Sequence, residues 1–199
     1  SRTLYNRLHQ LPAGHYLWLD GSNKKLMVDK YYEYLPDVDS SVPSAGLVEK
    51  FNRVLDASFE RLIHNLDGRP AWIPLSGGLD SSAIAIGMKN VGIKDVETFS
   101  VNYTHLPQKK EALTDETNFQ IAVSDATGYH HNHIPLENIS PLTSIEKQLA
   151  YFNEPVHMPN LYLFDQIACA AKRKHIDIMF DGQDGDNIVS HGLERLPEL

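Results

Sequence analysis

From residue 44 onwards, short apolar segments alternate with amphipathic ones, and this alternation constrains the fold more than any other feature of the sequence. Apolar residues at helical spacing predict a helix over 44–66, with Ser44 as a candidate N-cap. Further strands are predicted at 71–75, at 96–101, around 133–134 and at 176–180, and further helices at 82–91, at 115–127 and in a longer stretch that ends near Lys174. Such alternation is typical of an α/β fold with a doubly wound parallel sheet, whose ligands bind beyond the carboxyl ends of the strands.

The first 43 residues follow a different pattern. Two apolar segments, 16–19 and 26–28, flank the turn-forming residues 20–23 and predict a β-hairpin. Residues 36–43 are rich in Pro, Asp and Ser, which is typical of a linker. We therefore divide the chain into an N-terminal hairpin and linker, residues 1–43, and a larger domain, residues 44–199.

Charge and cysteine content exclude several classes of protein. Lys and Arg number 18 against 26 Asp and Glu, a formal charge of −8 that argues against nucleic acid or an anionic membrane as the main partner. No apolar run approaches the roughly 20 residues that cross a bilayer. Cys169 is the single cysteine, which excludes an internal disulfide and any zinc site with two cysteine ligands and fits a cytoplasmic location. Its alanine neighbours predict a buried packing residue.

A glycine-rich loop lies between the predicted strand 71–75 and the predicted helix 82–91. It reads Ser76-Gly77-Gly78-Leu79-Asp80-Ser81-Ser82. Two glycines allow successive N–H groups to face one concavity, the start of a helix adds partial positive charge, and three serines supply hydroxyl donors. A strand-to-helix turn with serine caps would need no ligand, but the S-G-G-x-D-S pattern between a strand and a helix favours a polyanion site, with Asp80 placed to hold an accompanying Mg²⁺.

The S-G-G-x-D-S loop resembles the pyrophosphate-binding loop of the ATP-pyrophosphatase superfamily. The wider sequence resembles the synthetase domain of asparagine synthetases, β-lactam synthetases and lasso-peptide cyclases. Further segments that resemble this family are 11–15, 98–101, 128–131, 153–155 and 181–186. The resemblance implies a HUP-like sheet of the ATP-pyrophosphatase type, in which residues 1–43 end a glutaminase-like region and residues 44–199 form a synthetase domain that stops short of its full length.

The same resemblance implies an AMP- and pyrophosphate-forming amide ligase that uses ATP and Mg²⁺. Its substrates would be a small carboxylate or peptide and an amine or ammonia, with a glutaminase domain possible in the same full-length chain. Asp80 and Asp186 would share the Mg²⁺ and take part in catalysis. The residues implied to contact the nucleotide are Leu75, Ser76, Gly77, Gly78, Asp80, Ser81, Ser82, Val101 and Gly182.

Two departures from the family pattern leave the product open. Gln183 stands where the family carries a glutamate associated with amidation, so that role is either lost or moved to Asp184, and Asn187 replaces an acid. An asparagine synthetase-type ligase, a lasso-cyclase-like ligase and a degenerate nucleotide-binding module all fit these substitutions. His131 and His133 lie two apart on a predicted strand and share a face, but we do not assign a metal site to them.

Overall fold

The computed structural model describes residues 3–33, 35, 43–102, 116–136, 139–140, 142, 144–154, 160–183 and 185. The chain divides into two compact units, Ser1–Gly46 and Leu47–Leu199. Among the described residues, no helix combines the length and the apolar character needed to span a membrane. Whether the first unit is the end of a glutaminase-like region stays a prediction.

The first unit contains the predicted antiparallel hairpin. Strand β1 (His15–Asp20) pairs with β2 (Lys25–Lys30), with His15 opposite Lys30 and Asp20 opposite Lys25. The Asp20 carboxylate closes the turn, because it accepts a hydrogen bond from the Ser22 N–H at 2.9 Å. Backbone N–H groups of Ser22 and Asn23 lower the pKa of Asp20 by stabilising its charged form.

The second unit contains a four-stranded sheet in which every pairing is parallel. In chain order the strands are β3 (Ala71–Pro74), β4 (Val96–Asn102), β5 (His130–Pro135) and β6 (Ile178–Met179). Their spatial order is β5-β4-β3-β6, so β3, the strand that leads into the glycine loop, lies inside the sheet. The parallel α/β fold predicted from the alternation is confirmed.

Helices α1 (Ser44–Leu66), α2 (Leu79–Asn90), α3 (Thr117–Thr127), α4 (Ile145–Phe152) and α5 (Leu161–Arg173) accompany the strands. Two predicted helix boundaries are wrong, and the last strand is shorter than the predicted 176–180. Helix α2 begins at Leu79 rather than at Ser82, because extended Gly78 already serves as its N-cap. The long stretch before Lys174 is two helices, since Asn153 adopts a left-handed conformation (φ 56°) at the end of α4.

Two apolar clusters cover the two faces of the sheet. Ala71 and Ile73 pack with residues of α1 and α2 in the first cluster, whereas Trp72 between them packs with Ile167 and Ala171 of α5 in the second. Successive side chains of a strand point to opposite faces, so this division shows that helices cover both sides of β3. The doubly wound arrangement follows from it.

Cys169 does not belong to this core. The buried residues of α5 are Ile167 and Ala171, which are four positions apart and so share one face of the helix. Cys169 lies between them in sequence and faces solvent. The prediction of a buried packing residue is therefore wrong, because the small size of its alanine neighbours does not reveal which face of the helix is covered.

Candidate nucleotide-binding site

The site begins where β3 ends inside the sheet. Leu75 is only 1% exposed, and its N–H donates to the carbonyl of Phe99 at 2.8 Å, which prolongs the pairing with β4 by one residue. The chain then reverses direction because Gly77 adopts φ +88°, a conformation that strains residues carrying a Cβ. Helix α2 begins at Leu79, so its N-terminus lies just beyond the strand end.

Serine hydroxyls hold the loop in this shape. The Ser76 hydroxyl accepts the Gly78 N–H at 3.1 Å and lies 3.1 Å from the Ser81 hydroxyl. Ser81 accepts the Ser76 N–H at 3.3 Å, and Ser82 donates to the Gly78 carbonyl at 2.7 Å. Within the described part of the chain, the Gly77 N–H has no hydrogen-bond partner and is available to a ligand. Binding of phosphate by the serines themselves stays a prediction.

Gly77 is also required by close packing against the start of α3. A Cβ on Gly77 would lie 2.9 Å from the Cβ of Phe119 and 3.1 Å from the carbonyl oxygen of Glu116. The loop is thus pressed between two helix N-termini. The sequence pattern indicated the bend at this glycine but carried no sign of the contact with α3.

A second glycine-containing loop, which follows β6, contacts Asp80 in the first turn of α2. A Cβ on Gly182 would lie 2.9 Å from the carbonyl carbon of Asp80, and one on Gly185 would lie 2.5 and 2.6 Å from its two carboxylate oxygens. The carboxylate therefore rests directly against the second loop. Asp184 and Asp186 lie outside the described residues, so the proposed sharing of a cation between Asp80 and Asp186 stays a prediction.

The described part of the second loop is held by hydrogen bonds between its own residues. The Gly185 N–H donates to the Gly182 carbonyl at 3.2 Å, and the Gln183 N–H donates to the Asp181 carboxylate at 3.3 Å. Gln183 is exposed. Its side chain is an amide, which cannot act as a general base at neutral pH.

The carboxylate of Asp80 has the donor chemistry that Mg²⁺ prefers in proteins. No group of three or more His, Cys, Asp or Glu side chains in the described ranges is arranged to hold a metal ion. Mg²⁺ is bound in nucleotide enzymes by one or two carboxylates together with phosphate oxygens, and the Asp80 carboxylate beside the glycine loop would fit that donor set if the loop binds phosphate.

A line of polar side chains, three of them buried and one, His131, half-buried, runs from the sheet to the glycine loop. Gln120 of α3 is 5% exposed; its Nε2 donates to the Ser76 carbonyl at 3.2 Å and its Oε1 accepts from Ser100 at 2.9 Å. The Ser100 hydroxyl also lies 2.9 Å from Nε2 of His131, whose Nδ1 lies 2.7 Å from the hydroxyl of Thr98. Four side chains from three elements thereby connect β5 to the loop.

The family model described as asparagine synthase matches residues 50–198. The chain belongs to the asparagine synthase family. Residues 50–198 include all four strands of the parallel sheet and both glycine loops, so the family match covers the whole of this site. No curated protein sequence matches the chain significantly.

Three solved structures similar to this family member are synthetases. The NH3-dependent NAD synthetase from Campylobacter jejuni aligns over 72% of this chain and 60% of its own, at 14% identity and a TM-score of 0.43. The glutamine-dependent NAD+ synthetase from Acinetobacter baumannii, solved with ADP, aligns over 88% and 31%, at 15% identity and a TM-score of 0.47. NMN synthetase from Francisella tularensis aligns over 65% and 52%, at 14% identity and a TM-score of 0.39. The chain spans less than two thirds of the length of each.

The predicted nucleotide contacts Leu75 and Val101 lie on neighbouring strands of this asparagine synthase family domain. Leu75 follows β3 and bonds to Phe99 of β4, and Val101 lies two residues further along β4, opposite Ile134. Both are therefore at the carboxyl edge of the sheet, beside the glycine loop. Contact with adenine stays a prediction.

The histidine pair follows the predicted geometry. The rings of His131 and His133 lie on one face, 4.3 Å apart and nearly perpendicular. Burial, with the nearby His133 and His130, lowers the pKa of His131 to about 4, so its ring is neutral at physiological pH. Both of its ring nitrogens already have hydroxyl partners, which leaves neither free for a metal ion.

Sequence reasoning missed Gln120 and Ser100. Both are polar residues at buried positions, and the family resemblance gave no reason to select them. The available signal was weak: Gln120 occupies a helix position one turn before Ser124, and Ser100 is one of several polar residues in β4. Buried polar side chains need hydrogen-bond partners, and the partners of Ser100 and Gln120 lie on other elements of the fold.

Proposed function

We propose that this chain is the ATP-binding synthetase domain of an AMP- and pyrophosphate-forming amide ligase. The proposal is supported by membership of the asparagine synthase family and, above all, by one observation: a glycine loop at the end of an internal parallel strand leads into a helix whose first turn carries Asp80. This arrangement offers N–H donors, partial positive charge and one carboxylate at a single place.

The glycine loop would bind the β- and γ-phosphates of ATP. The N–H of Gly77 is available, and the first N–H groups of α2 have no partner within the helix. Asp80 would hold Mg²⁺ together with Asp186, and this ion would neutralise charge on the departing pyrophosphate. Leu75 and Val101 would contact the adenine at the adjacent strand ends.

The reaction has two steps. A carboxylate oxygen of the substrate bonds to the α-phosphorus of ATP while the bond to the β-phosphate oxygen breaks and pyrophosphate leaves. An amine or ammonia then attacks the acyl carbon, AMP leaves and the nitrogen loses a proton. Fixed donors in the loop accelerate the first step because negative charge grows where they already point.

The second step is where this chain differs from its family. Gln183 is exposed and cannot act as a base, so the proton of the attacking amine would be removed by Asp184 or by water. Asparagine biosynthesis is one candidate function and a lasso-cyclase-like ligation is another. Gln183 also favours a candidate outside the ligases, a nucleotide-binding module without amidation activity.

Exchange of radiolabelled pyrophosphate into ATP by the full-length protein tests the proposal. We expect exchange that requires both Mg²⁺ and a carboxylate substrate, found by supplying a panel of amino acids and peptides. Exchange followed by amide formation supports the ligase, and exchange without amide formation supports loss of the second step. ATP binding with no exchange for any carboxylate favours the binding module, and absence of ATP binding rejects both.

A further inference from the structure

We propose that Gln120 is a positioning residue that orients the first peptide of the phosphate-binding loop. This inference rests on the proposed function, since it concerns how the loop binds phosphate. Gln120 is the fourth residue of α3, and its side chain is almost completely buried. Its amide nitrogen donates to the carbonyl of Ser76, a predicted nucleotide-binding residue, so its effect on a ligand would pass through the loop.

Only one assignment of donors and acceptors satisfies all the hydrogen bonds in the line that includes Gln120. The Ser100 hydroxyl has one proton, and Gln120 Oε1 must accept it because Nε2 is already the donor to Ser76. His131 Nε2 therefore donates to Ser100, and its Nδ1 accepts from Thr98. Neutral His131 makes this assignment possible, and each group in the line thereby fixes the next.

The last bond of the line controls the direction of an N–H group. The Ser76 carbonyl and the Gly77 N–H belong to one planar trans peptide, in which they point in opposite directions. Holding the carbonyl towards Gln120 therefore aims the Gly77 N–H away from α3. Glycine at φ +88° tolerates a rotated peptide far better than other residues, so the loop's own sequence does not secure this orientation.

A purely structural role would concern only the burial of polar atoms. No buried side-chain nitrogen or oxygen among the described residues lacks a partner. Thr127 near the end of the same helix satisfies that requirement far from the glycine loop, because its similarly buried hydroxyl donates to Val123 of the preceding turn at 2.8 Å and accepts from the Tyr129 N–H at 3.3 Å. Gln120 differs in that its bond ends on the glycine loop.

Gln120→Leu and Thr127→Val in the full chain separate the two roles. Both variants remove buried hydrogen bonds from α3, and we expect both to lower the urea midpoint. Only Gln120→Leu should weaken binding of Mg·ATP and of Mg·pyrophosphate, by about ten- to a hundredfold in calorimetry. Adenosine affinity should change less than twofold in either variant, because the adenine end of the site does not depend on this peptide.

Hydrogen exchange of the loop amides, measured without nucleotide, tests the positioning role of Gln120 independently of ligand binding. The amides of Ser76 and Gly78, which bond to hydroxyls within the loop, should exchange faster in Gln120→Leu than in the wild type, and at the wild-type rate in Thr127→Val. Unchanged exchange and unchanged pyrophosphate affinity in Gln120→Leu would overturn the positioning role. Wild-type protein that binds neither ATP nor pyrophosphate, with faster exchange in Gln120→Leu, would overturn the proposed function alone.

Discussion

Substitution of Gly77 by alanine should be much more damaging than the same substitution at Gly92. The two glycines have nearly the same backbone angle, φ +88° and φ +86°. A residue with a Cβ loses about 1–2 kcal/mol in the left-handed region, and Gly92→Ala should cost about that amount because nothing lies within 4 Å of its new Cβ. Gly77→Ala adds contacts with Phe119 and Glu116 that cost about 1–3 kcal/mol more.

Urea unfolding followed by circular dichroism measures both free energies of unfolding, and the difference between the variants isolates the contact with α3. The same proteins titrated with Mg·ATP should show lost affinity for Gly77→Ala and wild-type affinity for Gly92→Ala. Equal destabilisation of the two variants would refute the close packing, and wild-type affinity of a folded Gly77→Ala would refute its place in the phosphate site.

Gly185→Ala should lower Mg·ATP affinity in calorimetry with little loss of stability, because the new methyl group displaces a carboxylate, that of Asp80, rather than backbone; a large shift of the urea midpoint would contradict this. Stability should fall by about 1–2 kcal/mol as the pH falls from about 6.5 to about 4, since the unfolded chain protonates His131 while the half-buried folded ring stays neutral, and His131→Gln should flatten this dependence. Burial raises the pKa of Glu97, but the hydrogen bonds from Lys174 at 2.5 Å and from Asn132, together with nearby positive charge, outweigh it and lower the pKa. Lys174→Met should therefore cost at most about 1 kcal/mol above pH 5, and less as acid protonates Glu97. A cost that grows on acidification would argue against that ion pair.

The order of strands and helices could be predicted because each element carries its own periodicity. The alternation in β3 shows this best: Trp72 faces one apolar cluster while Ala71 and Ile73 face the other. The glycine loop was predictable for a similar reason, since Gly77 and Gly78 satisfy a local requirement for backbone bending. A requirement set by neighbouring residues, such as alternation in a strand or glycine at a bend, is visible in a short segment of sequence.

Contacts between distant segments leave no such trace. Gly185 is close to Asp80 and Gln120 is bonded to Ser76, yet neither pair shares a periodicity or a spacing rule. Cys169 was misjudged for the same reason, because its exposure depends on which face of α5 meets the sheet. These contacts depend on the three-dimensional fold, and they include the ones that hold the glycine loop in place.

The central claim is that the glycine loop and Asp80 bind Mg·ATP. Calorimetry tests it most directly, by titrating the full-length wild type, Asp80→Ala and Asp125→Ala with ATP, with and without Mg²⁺. Asp125 is an exposed acid of α3 that lies outside the site and controls for the loss of one negative charge. We predict saturable, Mg²⁺-dependent binding by the wild type and by Asp125→Ala, and none by Asp80→Ala. Undiminished Mg·ATP affinity in a folded Asp80→Ala protein would contradict the account.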